Sequence, residues 1–102
     1  MVDEITVETL EEWKYERDPF IIDIRAPEKF EAGHIQKSKN IPMNELVQQI
    51  DTREWEEPIV VVCDVGEASR QAARLLASHE AIDADTVWNL SGGYRAWKQH
   101  RE

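Results

Sequence analysis

Ile59-Val60-Val61-Val62 is an uninterrupted β-branched aliphatic run between Pro58 and Cys63, and it does most to limit what this chain can fold into. Such side chains are stiff at χ1 and suit a pleated strand better than a helix. The run has no polar face, so the strand it forms must be covered on both sides, as in a parallel sheet flanked by helices. Phe20 to Ile24 is a second short, nearly continuous apolar run and predicts a neighbouring buried strand.

The segments between these runs read as helices. Thr6 or Thr9 is expected to cap a helix ending at Arg17, with Val7, Leu10 and Trp13 along one face. Ile5 ends a short strand before it. Pro27 suits the first turn of a brief helix to Ala32, closed by Gly33. Lys39 to Ile41 is a further short strand stopped by Pro42. Asn44 is the expected cap of a helix carrying Leu46, Val47 and Ile50. Ser69 to Ser78 reads as a helix with Ala72, Ala73 and Leu76 inward. Thr86-Val87-Trp88 predicts the last strand, and Tyr94 to His100 the last helix, with Trp97 inward. Strands separated by helices imply parallel pairing. The expected fold is α/β: an open doubly wound sheet of about five mainly parallel strands with helices on both faces.

A chain of 102 residues with 41% hydrophobic content suits a single domain over its whole length. It contains no internal repeat and no linker-like tract. The formal net charge is -9, which opposes binding to nucleic acid or an anionic membrane. Such acidity is ordinary for a well-solvated surface, and also fits a basic protein partner or a salty cytoplasm. A single cysteine rules out an internal disulfide and a multi-thiolate metal cluster. The opening MVDEITVETL has no basic segment before an apolar core, so no secretory signal is expected. The apolar stretch Ile59 to Cys63 is too short to span a bilayer. The expected compartment is the cytoplasm.

Cys63 directly follows the most hydrophobic strand and opens the turn Asp64-Val65-Gly66-Glu67-Ala68 before the helix at Ser69. In open parallel sheets, sites gather at the carboxyl ends of strands. Gly66 permits a positive φ, and a helix amino terminus supplies unpaired N–H groups and the positive end of its dipole. Both favour an anion at the loop centre, a thiolate or a bound oxyanion. An ordinary cysteine is only about 3% ionised at pH 7, so helix-end stabilisation of ~1–2 kcal/mol matters to a nucleophile. A buried cysteine acting as a small hydrophobe fits the spacing equally well.

Four blocks resemble the rhodanese-like sulfurtransferase family in their order and gaps. These are Asp23 to Ile35 (DIRAPEKFEAGHI), Asn40-Ile41-Pro42, Ile59 to Gly66 (IVVVCDVG) and Leu90 to Trp97 (LSGGYRAW). The resemblance implies a persulfide carried on Cys63 and held by main-chain N–H groups from Asp64 to Ser69. Sulfane sulfur would then pass to a thiol, cyanide or a protein acceptor. The implied partners are a sulfur donor, either a protein persulfide or a small sulfane-sulfur compound, and a thiol-type acceptor. A further protein partner is compatible with it. No metal or organic cofactor is implied.

The chain departs from the family at one point that matters. The family loop often reads Cys-x-x-Gly-x-Arg-Ser, and here Ala68 stands at the arginine position. The loop adds Asp64 and Glu67 instead. A charge pair at roughly 6 Å is worth about 0.7 kcal/mol in water and about 3 at an effective dielectric of 20. Two carboxylates are therefore expected to offset much of the helix-end stabilisation; Arg70, one turn into the next helix, reads first as an exposed surface residue and second as a compensating cation. Thiosulfate, a dianion, is expected to be a poor donor.

Asp23 and Arg25 lie at a strand end beside the loop, as an ion pair fixing it or as substrate contacts. His34 reads as structural, the four tryptophans as packing, and Arg95 as a surface residue. His79 and His100 lack partners at metal-ligand spacing. Two competing functions remain: a non-catalytic interaction module of the same fold, and a phosphatase or arsenate-reductase relative. The latter enzymes place Arg after Cys and five intervening residues; that position here is Ser69, with Arg70 one residue too late.

Overall fold

The computed structural model describes residues 2–101. The chain alternates strand and helix throughout: β1 Asp3–Ile5, α1 Val7–Glu16, β2 Phe20–Asp23, α2 Pro27–Ala32, β3 Lys39–Asn40, α3 Met43–Gln49, β4 Ile59–Val62, α4 Ala68–Ala77, β5 Val87–Leu90 and α5 Gly93–Arg101. A short 3-10 turn, Ala84–Thr86, leads into β5. The strands form one sheet in the order β1-β5-β4-β2-β3, and every pairing is parallel. The Ile59–Val62 run is thus the middle strand.

Each residue of β4 is fully buried, and its alternation explains why no polar residue interrupts it. Ile59 and Val61 enter a cluster with Ile22, Leu46, Ala72, Ala73 and Leu76, covered by α3 and α4. Val60 and Val62 face the other way, into a cluster with Ile21, Leu10, Leu90 and Trp97, covered by α1 and α5. Burying one such side chain stabilises the fold by roughly 1.5–3 kcal/mol. The expected doubly wound α/β sheet with helices on both faces is the observed one.

The helix boundaries differ from expectation in instructive ways. Thr6, not Thr9, caps α1: its hydroxyl oxygen accepts the Thr9 amide at 3.2 Å. Asn44 caps nothing, because α3 begins one residue earlier. Pro42 sits at the cap position with its φ already fixed, and its carbonyl accepts the amides of Glu45 and Leu46, each at 2.9 Å. Val47 is exposed, since Leu46 and Ile50, four apart, occupy the inner face. Thr86 belongs to the 3-10 turn, and β5 continues to Leu90, carrying the polar Asn89 into the core.

Candidate functional site

Cys63 leaves the carboxyl end of β4, flanked by β2 on one side and β5 on the other. It is a free thiol, 5% exposed, and packs with the apolar cluster beneath α3 and α4. Its Sγ also accepts the N–H of Gly66 at 3.0 Å. The two sequence readings of this cysteine therefore meet in one side chain, buried among hydrocarbon yet touched by a main-chain donor. Where a circle of amides was expected, Gly66 supplies the one main-chain donor to Sγ among the described residues. Gly66 takes φ +91, a conformation that suits glycine.

The turn is divided between inside and outside. Gly66 and Ser69 are buried with Cys63, while Asp64, Val65, Glu67 and Ala68 are exposed. A polar network holds the buried part. Asn89 Nδ2 donates to the Gly66 carbonyl at 3.0 Å, and the Ser69 hydroxyl donates to Asn89 Oδ1. Ser69 and Asn89 are both fully buried. Burying these groups is tolerable because each finds a partner.

The start of α5 grips the other side. The amides of Tyr94 and Arg95 donate to the carbonyls of Cys63 at 2.7 Å and Asp64 at 3.0 Å. This approach requires Gly93, which takes φ +63 and whose added Cβ would overlap the Cys63 carbonyl oxygen.

Asp23 and Arg25 form a buried pair, with Arg25 Nε 3.0 Å from Asp23 Oδ1 and Nη2 2.7 Å from Oδ2. Nη2 also donates to the Gly33 carbonyl at 2.8 Å, tying down the end of α2. The guanidinium stacks over the Tyr94 ring, 4.3 Å from its centroid. Asn40 Nδ2 donates to the carbonyls of both Asp23 and Arg25, each at 3.0 Å. Desolvation works against the Arg25 charge. The hydrogen bonds and charge of Asp23 outweigh it, with help from Asp64 and Tyr94, and raise the guanidinium above its ordinary range.

One expectation about charge is corrected. Asp64 is not a free negative charge: Lys29 Nζ lies 2.8 Å from its Oδ2, and Arg25 Nη1 4.0 Å from its Oδ1. Glu67 makes no ion pair among the described residues, and Arg70 feels its charge only at longer range. Arg70 keeps to the surface, as its first reading had it, with its closest partner outside the loop. Its Nε meets Glu4 Oε2 of β1 at 2.7 Å, and that hydrogen bond and charge raise its pKa.

His34 is anchored through Nδ1 to the Phe30 carbonyl at 2.7 Å and stacks on the Phe30 ring. Trp13 meets Trp88 edge-on, Trp97 is buried, and Trp55 donates to the Ile50 carbonyl. Among the described residues no cluster of three or more His, Cys, Asp or Glu could hold a metal, and no helix is long and apolar enough to cross a membrane. Sequence reasoning missed Asn89 and Lys29. Asn89 carried a signal, a lone amide within the run Val87–Leu90. Lys29 carried none, since its partner lies 35 residues away.

A family model described as a rhodanese-like domain matches residues 6–100. The chain is 32% identical over 77 residues to the uncharacterized protein YqhL of Bacillus subtilis, covering 76% of this chain and 59% of that protein. The match therefore spans less than two thirds of that relative. It is 33% identical over 81 residues to the thiosulfate sulfurtransferase GlpE of Pseudoalteromonas translucida, covering 79% of this chain and 74% of the relative. Among solved structures, a rhodanese-related protein from Thermoplasma volcanium superposes with a TM-score of 0.82. It is 24% identical, with 96% of this chain and 92% of that one covered, a likeness that speaks to the fold alone.

Proposed function

Because this chain belongs to the rhodanese-like family, we propose that it is a sulfurtransferase whose nucleophile is Cys63. The observation that carries the reading is the Gly66 N–H placed 3.0 Å from Sγ at the carboxyl end of the central strand. A thiolate there is stabilised by a preorganised donor that need not reorganise as charge moves.

The chemistry balances without a redox partner. The Cys63 thiolate attacks the outer sulfur of a donor R–S–SH, forming a new S–S bond to Cys63 while the donor's S–S bond breaks. The donor leaves as RS⁻, and Cys63 carries the persulfide. An acceptor thiolate then attacks the outer sulfur, takes it as its own persulfide, and restores the Cys63 thiolate. The Asp23–Arg25 pair acts by position: it fixes β2, α2 and Tyr94 around the loop.

Donor preference follows from the loop's charges. Relatives carry the name thiosulfate sulfurtransferase, but here Ala68 offers no cation and Glu67 remains unpaired among the described residues. A protein persulfide or an uncharged or cationic sulfane-sulfur compound suits this mouth better than a dianion. The cytoplasm, where thiols stay reduced, fits such a carrier.

Intact-mass measurement after exposure to a sulfane-sulfur donor tests the reading. Wild type should gain one sulfur atom, lost again on adding thiol, and Cys63→Ser should gain none. The 5% exposure of Cys63 favours one alternative, a non-catalytic interaction module. No adduct with any donor, alongside retained folding, would establish that alternative instead.

A further inference from the structure

On the α1 and α5 side of the sheet lies an open cleft of about 340 Å³. Lys14 enters from α1, Lys98 and Arg101 from α5, and His34 and Gln36 from the segment after α2. Trp97 forms the floor, with Lys14 Nζ 5.1 Å and the Arg101 guanidinium 5.4 Å from its ring centroid. Lys14 and Arg101 thus stand over an aromatic face, Lys14 half-buried, where its charge is less screened than in open water, while Lys98 and Arg101 remain exposed.

This is unusual for the chain. Acidic residues number 21 against 12 Lys+Arg, yet no described residue lining the cleft is acidic. Lys14, Lys98 and Arg101 make no ion pair among the described residues. Glu11, close enough to act on Lys14, is engaged by His100 at 2.9 Å. Burial, then Arg101 and Lys37, push the Lys14 ammonium below its usual range, and Glu11 opposes this only in part. The fold holds like charges together, and a bound anion would relieve their repulsion.

Size narrows the ligand. The cleft holds on the order of ten water volumes at ~30 Å³ each, more than a lone monovalent ion needs. A guanidinium grips carboxylate or phosphate through paired hydrogen bonds, and two ammonium groups suit further negative charge. We propose that this cleft is a binding site for a small organic polyanion bearing at least two phosphate or carboxylate groups. The site stands independently of the chemistry at Cys63. Tyr94 and Lys98 also line a neighbouring cleft with Arg25, Lys29 and Asp64, so an occupant would touch elements that flank the loop.

Titration of the full chain with pyrophosphate, citrate and inorganic phosphate at constant ionic strength tests the proposal, by calorimetry and amide chemical-shift mapping. Pyrophosphate, citrate or both should bind about tenfold or more tighter than inorganic phosphate, with shifts centred on Lys14, His34, Lys98 and the Trp97 indole N–H. Which probe wins distinguishes a phosphate from a carboxylate ligand. The variant Lys14→Gln/Lys98→Gln should lose about tenfold or more in affinity while its spectrum stays folded. Arg74→Gln, exposed on α4 over the opposite face of the sheet, should bind as wild type does. Shifts scattered over the surface, no saturable binding at millimolar probe, or unchanged affinity in the double variant would overturn the site.

Discussion

Asn89 in β5 donates its side-chain amide to the main-chain carbonyl of Gly66 at 3.0 Å, joining the core of the sheet to the turn that faces Cys63. Its Oδ1 takes the Ser69 hydroxyl, so one buried side chain serves both ends of the turn. Asn89→Leu leaves the Gly66 carbonyl and the Ser69 hydroxyl buried without partners. The expected loss is about 1–3 kcal/mol for each group left unsatisfied. Urea unfolding should report a lower midpoint, and persulfide formation should slow even where the protein stays folded. Unchanged stability would mean that water reaches the turn and the network is dispensable.

The two glycines that bring backbone against backbone should differ in their tolerance. Gly66→Ala meets φ +91 with its new Cβ 3.1 Å from the Gly92 nitrogen and 3.2 Å from the Leu90 carbonyl oxygen, a tight fit that asks those backbone atoms to give by a few tenths of an ångström. Gly93→Ala drives its Cβ into the Cys63 carbonyl and the adjoining Asp64 peptide, with no flexible side chain to give way. The left-handed conformation alone costs roughly 1–2 kcal/mol in either case, and steric overlap adds far more to it at Gly93, where three backbone atoms lie under 3.0 Å from the new Cβ. Denaturant midpoints should therefore fall further for Gly93→Ala. Equal losses would refute the close approach of α5 to Cys63.

The Asp23–Arg25 pair predicts a non-additive result. Arg25→Met strands a buried carboxylate and should destabilise the fold by about 3–5 kcal/mol. Adding Asp23→Leu removes that stranded charge, so the double variant should recover much of the loss. The Gly33 carbonyl would still lack the donor it has now at 2.8 Å, which keeps recovery incomplete. Thermal unfolding of the two single variants and the double variant measures the coupling. Simple additivity would show the pair to be two independent residues.

What was legible in the sequence followed from local patterns. The β-branched run Ile59–Val62, Pro27 at a helix start and the Phe20–Ile24 run each determine structure within a few residues, and each predicted element formed. Asn44 failed as a cap because a proline two residues earlier had already set the helix start. The charge state of the candidate site was illegible for a different reason. Whether Asp64 is compensated depends on Lys29, and whether Arg70 is available depends on Glu4; the fold makes both pairings across long stretches of chain. The role of Asn89 was half legible, since a lone amide in an apolar strand announces a buried hydrogen bond without naming its partner.

The alanine at position 68 gives the sharpest functional prediction, because it separates charge from shape. Ala68 is exposed at the first position of α4, beside the turn that holds Cys63. Asp64 is already balanced by Lys29 and Arg25, which leaves Glu67 as the loop carboxylate without a partner among the described residues. A cation placed at roughly 6 Å from a bound dianion would contribute about 0.7 to 3 kcal/mol per unit charge, depending on exposure. Ala68→Arg should therefore raise kcat/KM for thiosulfate by about three- to a hundredfold for each unit of donor charge the guanidinium reaches, and the gain should shrink with added salt. Ala68→Gln, which adds length without charge, should leave that value near wild type. Transfer from an uncharged persulfide donor should change little in either variant. Equal gains from arginine and glutamine would trace the effect to loop packing, and no gain from arginine would mean that the missing cation does not set donor choice.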